Sequence, residues 1–205
     1  MIGIINYGMG NLASIQNALN YLHIPCDIFS DPGQMSHYDK LILPGVGAFG
    51  SAMERLDETG FTQRLKEIAH ERKVPLLGIC LGMQILFDSS VEHGYHRGLG
   101  FVEGDVLFLG ESAHDLSIPH VGWNDLSVRT GSKLLKGLSD EKSFYFVHSY
   151  YCHVPDKSIV TGTVEYGVAF AAVVESGNIF GCQFHPEKSQ KNGLTVLRNF
   201  DEIQC

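Results

Sequence analysis

The 205-residue chain is short of positive charge: 15 Lys and Arg stand against 23 Asp and Glu, giving a formal net charge of −8 and a pI near 5.6. No basic run occurs, which argues against nucleic acid as the main ligand, because phosphate contacts need clustered Lys and Arg. No apolar run is long enough to span a bilayer, so neither a membrane span nor a membrane partner is expected. Cysteine is sparse and odd in number. Cys26, Cys80, Cys152, Cys182 and Cys205 are widely spaced with no CxxC pair, so neither a disulfide framework nor a zinc site is signalled, and a reducing cytosol is the expected compartment. The start, "MIGIINYGMGN", lacks a basic n-region and a small-residue cleavage site, and it reads as a strand that begins at once. No internal repeat, low-complexity tract or composition break marks a linker. One α/β domain over residues 1–205 is therefore expected.

What is present is an alternation of periods. In the first ninety residues "IGIIN", "CDIF", "KLILPG" and "VPLLGIC" are short apolar runs of strand character. Between them, Leu12, Ile15, Leu19 and Leu22 share one helical face, and "AFGSAMERL" and "FTQRLKEIAHER" read as helices. Strands apolar on both faces and separated by helices predict a mostly parallel central sheet flanked by helices, as in flavodoxin-like folds. After about residue 98 the texture changes to strands separated by turns, with Glu175 to Asn178 as a hairpin turn and a closing helix near Ser189 to Phe200. The second half is thus expected to be rich in antiparallel strands.

Three stretches carry chemistry. In "GICLG" the Cys80 thiol lies between Gly78 and Gly82, a Gly-x-nucleophile-x-Gly spacing that suits a sharp strand-to-helix turn. Such an elbow puts sulfur at the C-terminal end of the sheet and at a helix N-terminus, where N–H groups favour a thiolate and can stabilise an oxyanion. A buried core cysteine is the competing reading. In "CQFHPEKS" His185 and Glu187 are two apart and would share one side of a strand, with Pro186 requiring a strand end or edge. A carboxylate that orients an imidazole beside a thiol is the logic of a triad; an isolated surface His-Glu pair is the alternative. In "LILPGVGAFG" a strand runs into glycines that could turn free N–H groups toward the elbow. That loop lacks the Lys-Ser/Thr of a phosphate-binding loop, leaving an oxyanion role or a plain turn.

Together "GICLGMQ", "PGVG" and "HPE" resemble the signatures of the class I (triad) glutamine amidotransferases, over nearly the whole chain. Within that class, "INYGMGNLASI", "PGVGAFGSAM", "IPHVGWN" and "FYFVHSYY" are similar to the glutaminase subunits of imidazole glycerol phosphate synthases. The resemblance implies Cys80 as nucleophile, His185 as base and then acid, and Glu187 as orienting carboxylate. It implies an oxyanion hole from Val46, Gly47 and Leu81, and contacts to the amino-acid end of L-glutamine from Gln84, Glu92, Ser149 and Tyr150. It also implies a heterodimer with a (βα)8 cyclase subunit facing Trp123, Tyr145 and Lys188, and no cofactor or metal. From the residues alone Gln84 reads equally as a surface position, Glu92 as a solvated loop charge and Trp123 as a core aromatic. His120 and His148 are expected to be hydrogen-bonded histidines outside the triad. The segment Gly110 to Ser117 and the "FDEIQC" tail map to nothing. Two other functions stay open: a triad glutaminase serving another acceptor synthase, and a non-catalytic flavodoxin-like binding module.

Overall fold

The structure is a computed structural model and describes residues 1–112 and 116–204; Cys205 and the middle of the Gly110–Ser117 segment lie outside it. Along the first half the chain lays down β1 (Ile2–Ile5), α1 (Leu12–Tyr21), β2 (Cys26–Phe29), β3 (Lys40–Gly45), α2 (Phe49–Glu58), α3 (Phe61–Glu67) and β4 (Leu76–Cys80). The periodicity of the sequence places each of these. Helix α1 turns Ile15, Ala18 and Leu19 inward, and β1 and β4 are buried at every position, as strands covered on both faces must be. The strands pair parallel, β1 with β2 and β3, and β3 with β4.

The second half contains α4 (Leu81–Gln84), β5 (Phe87–Ser90), β6 (His96–Arg97), β7 (Val102–Phe108), β8 (His120–Asp125), β9 (Ser127–Val128), β10 (Ser143–His148), β11 (Tyr150–His153), β12 (Val160–Tyr166), β13 (Val168–Ser176), β14 (Ile179–Cys182) and α5 (Gln190–Glu202). The central sheet has the order β2-β1-β3-β4-β14-β13-β12-β9. Strand β14 enters it parallel to β4, and from there outward the pairing is antiparallel. Strands β13 and β14 form the expected hairpin, closing with Ser176 opposite Ile179 and Gly177 at φ +59°. Alternate residues face two separate cores. Ile5, Leu41, Leu43 and Val174 point one way; Ile4, Ile42, Ile79 and Val173 point the other.

The helix behind the elbow is a single turn, and the apolar run continues instead into β5. Ile85, Leu86 and Phe87 are all fully buried, and three successive buried residues do not fit the one-sided stripe of a surface helix. Strand β5 joins a smaller sheet of order β11-β7-β5-β6, while β8 and β10 pair as a ribbon. No described helix is long and apolar enough to cross a membrane.

Candidate active site

Cys80 sits where β4 ends, directly opposite Gly45 at the end of β3. Its backbone is at φ +55°, ψ −112°, a conformation an L-residue adopts only when the surroundings impose it. A Cβ on Gly82 would lie 1.8 Å from the Leu43 carbonyl oxygen, and one on Gly78 would lie 2.5 Å from the Gly82 carbonyl oxygen. Both glycines are thus demanded by the close crossing of the turn over the sheet. Cys80 is only 6% exposed, as a core cysteine would be, yet a core cysteine has no need of this strain. Because α4 is one turn long, the individual N–H groups of the turn, and not a long helix dipole, are what it can offer a developing charge.

The partner base arrives from the far end of the sequence. After β14 the chain bends at Gln183 and Phe184, passes through His185 at φ −97° and ψ 98°, and closes a 3-10 turn over Pro186–Lys188 with Pro186 at its first position. His185 and Glu187 therefore meet across this turn, and not by the strand alternation expected from their spacing, because proline starts a turn where it cannot extend a ladder. His185 Nδ1 lies 2.8 Å from Glu187 Oε1. A carboxylate only accepts, so Nδ1 carries a proton in either charge state and Nε2 is the ring nitrogen that gains and loses one. Nε2 and Glu187 Oε2 are buried and have no hydrogen-bond partner among the described residues. Burial pulls the His185 pKa down, but interactions with Cys80 and Glu187 outweigh it and raise the imidazole to about 9.

A cavity of about 420 Å³ opens over this pair, and Val46, Gly47, Cys80, Leu81, Gln84, Glu92, Ser149, Tyr150, His185 and Lys188 all line it. Glu187 stands behind His185, with its side chain 1% exposed. Trp123 and Tyr145 lie outside the cavity in edge-to-face contact at 6.1 Å between centroids, and Lys188 Nζ, on the cavity wall, is 5.7 Å from the Tyr145 ring. Trp123 is 48% exposed, so it is not a core aromatic. The reading of Gln84 as a surface residue is likewise overturned: Gln84 is buried, and its Nε2 donates to the Tyr150 carbonyl at 2.9 Å and to Gln183 Oε1 at 3.0 Å. Glu92 is not a solvated charge, since its Oε2 accepts from the Phe49 N–H.

Pro119, Val147 and His148 also line the cavity, and no spacing rule predicts that they would. His148 Nδ1 is 2.8 Å from the Tyr150 carbonyl oxygen and its Nε2 is 3.0 Å from His120 Nδ1. The carbonyl can only accept, which places the His148 proton on Nδ1 and makes His120 the donor to Nε2. Burial lowers the His148 pKa to about 3, keeping it neutral. Gln183 was missed as well, although it stands two residues before His185 and its Nε2 lies 3.9 Å from Cys80 Sγ.

A strained cysteine at the C-terminal end of a parallel sheet, with a carboxylate-oriented histidine in the same cavity, is the arrangement that thiol-dependent acyl transfer needs on an α/β fold. The chain belongs to the class-I glutamine amidotransferases, whose family description, "Glutamine amidotransferase class-I", matches residues 3–203. It is 48% identical to "Imidazole glycerol phosphate synthase subunit HisH" of Moorella thermoacetica, over 98% of this chain and 94% of that protein. It is also 48% identical to the protein of the same name from Sulfurimonas denitrificans, over 100% of this chain and 99% of that one. These relatives group the chain with the glutaminase subunits of imidazole glycerol phosphate synthases. A solved structure described as "Crystal structure of glutamine amidotransferase" shares the fold, with a TM-score of 0.75 at 21% identity over 98% of this chain and 97% of that one.

Proposed function

We propose that this chain, acting as one amidotransferase domain in the cytoplasm, hydrolyses L-glutamine at Cys80 and passes the ammonia to a separate (βα)8 cyclase subunit. The cyclase would use it to convert a phosphoribulosyl-formimino-aminoimidazole ribotide into imidazole glycerol phosphate and an aminoimidazole carboxamide ribotide. The observation that carries this reading is the shared cavity of Cys80, at φ +55°, and His185, whose Nδ1 is held by Glu187.

In the first half-reaction His185 Nε2 takes the thiol proton and Cys80 Sγ attacks the carboxamide carbon. The oxyanion that forms is met by N–H groups of Leu81 and of the Val46-Gly47 segment. The C–N bond then breaks as His185 returns its proton to the leaving nitrogen, giving ammonia and a γ-glutamyl thioester. In the second half-reaction water gives a proton to His185 and attacks the thioester. The C–S bond breaks, releasing glutamate, and His185 reprotonates the thiolate. Gln84 has both N–H groups committed, so it would meet the substrate through Oε1, with Glu92 taking the α-ammonium group and the Ser149–Tyr150 backbone completing the grip.

Trp123, Tyr145 and Lys188 form a contiguous aromatic and cationic patch at the mouth of the site, of the kind that anchors interfaces, and the cyclase would dock there. Ammonia made without an acceptor is wasted, and a glycine-rich oxyanion loop can be held off its productive geometry. Hydrolysis by the chain alone should therefore be slow and should rise when the cyclase and its ribotide are added. The test is glutamate release with and without both, with Cys80→Ala as control. Full turnover by the chain alone, unchanged by partner and ligand, would refute the coupling. Failure to complement a histidine auxotroph would point to another acceptor synthase.

A further inference from the structure

Beneath the cavity a chain of buried side chains runs from the β8–β10 ribbon to the sulfur. It begins at His120, which donates to His148 Nε2 at 3.0 Å, and continues as His148 Nδ1 donates to the Tyr150 carbonyl at 2.8 Å. Gln84 donates one hydrogen to that same carbonyl at 2.9 Å and its other to Gln183 Oε1 at 3.0 Å. Gln183 Nε2 then lies 3.9 Å from Cys80 Sγ. Gln183 is fully buried, and Gln84, His120 and His148 are nearly so.

The polarity of this chain is determined from one end. A carbonyl oxygen cannot donate, so the Gln84 amide must present NH2 to Tyr150, and its second N–H must meet an oxygen on Gln183. With its oxygen committed, Gln183 can present only its NH2 to the sulfur. We propose that Gln183 is a further catalytic residue, an N–H donor to the Cys80 sulfur whose direction is locked by Gln84 and the Tyr150 carbonyl. This inference rests on the reading of Cys80 as the nucleophile. A donor aimed at sulfur favours the thiolate over the thiol, and the donation tightens as negative charge builds on sulfur when the thioester breaks. An amide is suited to the task because it brings a hydrogen and no charge; a carboxylate there would repel the thiolate.

The titratable groups around the sulfur are His185, backed by Glu187, and Tyr7, Cys152 and Cys182, which are electrostatically coupled to Cys80, with Glu92, His148, Tyr150 and Lys188 on the wall of the same cavity. None of them changes in Gln183→Met, which keeps the length and volume of the side chain and removes the donor. The experiment is the pH dependence of Cys80 alkylation by iodoacetamide, followed by mass spectrometry at that residue, alongside glutaminase kinetics of the complex with the cyclase. In Gln183→Met the alkylation profile should move to higher pH by about one unit, and kcat should fall about tenfold with KM changed less than threefold, one pH unit being one factor of ten. Gln183→Glu should move the profile to still higher pH and lower kcat further. If Gln183→Met does not fold, Gln84→Met serves instead, since it leaves Gln183 in place but frees its amide to turn, and it should shift the profile in the same direction. Superimposable alkylation profiles in the variant and the natural protein would overturn the proposal, even with activity lost, because removing a hydrogen-bond donor to the sulfur must change its balance of thiol and thiolate. Undiminished glutaminase activity in Cys80→Ala would instead overturn the reading of Cys80 on which it rests.

Discussion

Glu92 and Phe49, 43 residues apart, are joined by a hydrogen bond of 2.6 Å from the Phe49 N–H to Glu92 Oε2. Phe49 is the first residue of α2, and the residue before it, Ala48, offers no side-chain cap. The carboxylate of a distant loop thus caps the helix that begins one residue past the "PGVGA" stretch, and it does so from the wall of the substrate cavity. Capping and favourable charge at a helix N-terminus together are worth about 1–2 kcal/mol.

Glu92 thus holds Phe49 and, in the proposed function, would also meet glutamine, and the two roles are separable. Glu92→Gln keeps an acceptor for the Phe49 N–H but loses the charge, so KM for glutamine should rise about tenfold or more with kcat within about threefold. Glu92→Ala loses the cap as well, and kcat should fall with it as α2 and the adjoining loop lose their anchor. Steady-state kinetics of both variants in the complex decide the matter; equal kcat in the two would mean that the cap does not hold the loop.

The glycines of the elbow differ sharply from the glycine of the hairpin in what they require. At Gly82 a Cβ would sit 1.8 Å from a backbone oxygen, whereas at Gly177, φ +59°, it would meet nothing within 4 Å. Gly82→Ala should therefore destabilise by about 3 kcal/mol or more and abolish activity, because the turn cannot close over Leu43. Gly177→Ala should lose only about 1–2 kcal/mol, for the left-handed backbone alone. Urea unfolding midpoints measure both, and similar losses at the two positions would remove the close-crossing account of the elbow.

The elbow and the His-x-Glu pair could be read in the sequence because each is local: the glycine spacing and the proline state their own backbone demands. The parallel half of the sheet was legible for the same reason, since β1, β3 and β4 are apolar on both faces. The turn of the chain into β5 was not, because Ile85, Leu86 and Phe87 continue an apolar run in which strand and helix look alike. Gln183 leaves no trace, and His148 is legible only as a hydrogen-bonded histidine outside the triad, which the structure bears out, with nothing to tell its partners or its place in the cavity wall. Their importance comes from hydrogen bonds to residues 99 positions away in one case and 28 in the other, and no spacing rule encodes such a meeting. Gln84 and Glu92 were found only through family resemblance, which supplied their positions but not the bonds to Tyr150, Gln183 and Phe49.

The triad geometry separates the roles of its two outer members. Glu187 touches His185 through Oε1 and does not line the cavity that holds Cys80, so in the proposed mechanism it acts by fixing the tautomer. Glu187→Gln leaves the base present, and its amide oxygen can still accept from Nδ1 in one of its two orientations. Its kcat should fall about 10²-fold, against about 10⁴-fold for His185→Ala, which removes the base itself. Rapid-quench measurement of thioester formation compares them directly, and equal losses would mean that the carboxylate does more than orient.

The raised pKa of His185 has a defined sign in stability. Burial opposes the charged imidazole, but Cys80 and Glu187 together lift it from an ordinary 6.5 to about 9. A group that binds its proton more tightly in the folded than in the unfolded state stabilises fully below its unfolded pKa, here about 6.5, and that contribution is lost as pH rises through about 9. Because the sulfur and the carboxylate both supply the lift, removing one should lower the imidazole without returning it to the behaviour of an unpaired buried histidine. In Cys80→Ser the His185 titration midpoint, followed by NMR of its ring protons, should therefore move down. Over the same interval of pH 6.5 to 9 the variant should lose less stability than the natural protein. An unchanged midpoint would show that Glu187 alone sets the charge of His185, and the thiol and imidazole would then have to be treated as independent groups, not as a coupled pair whose protons are shared.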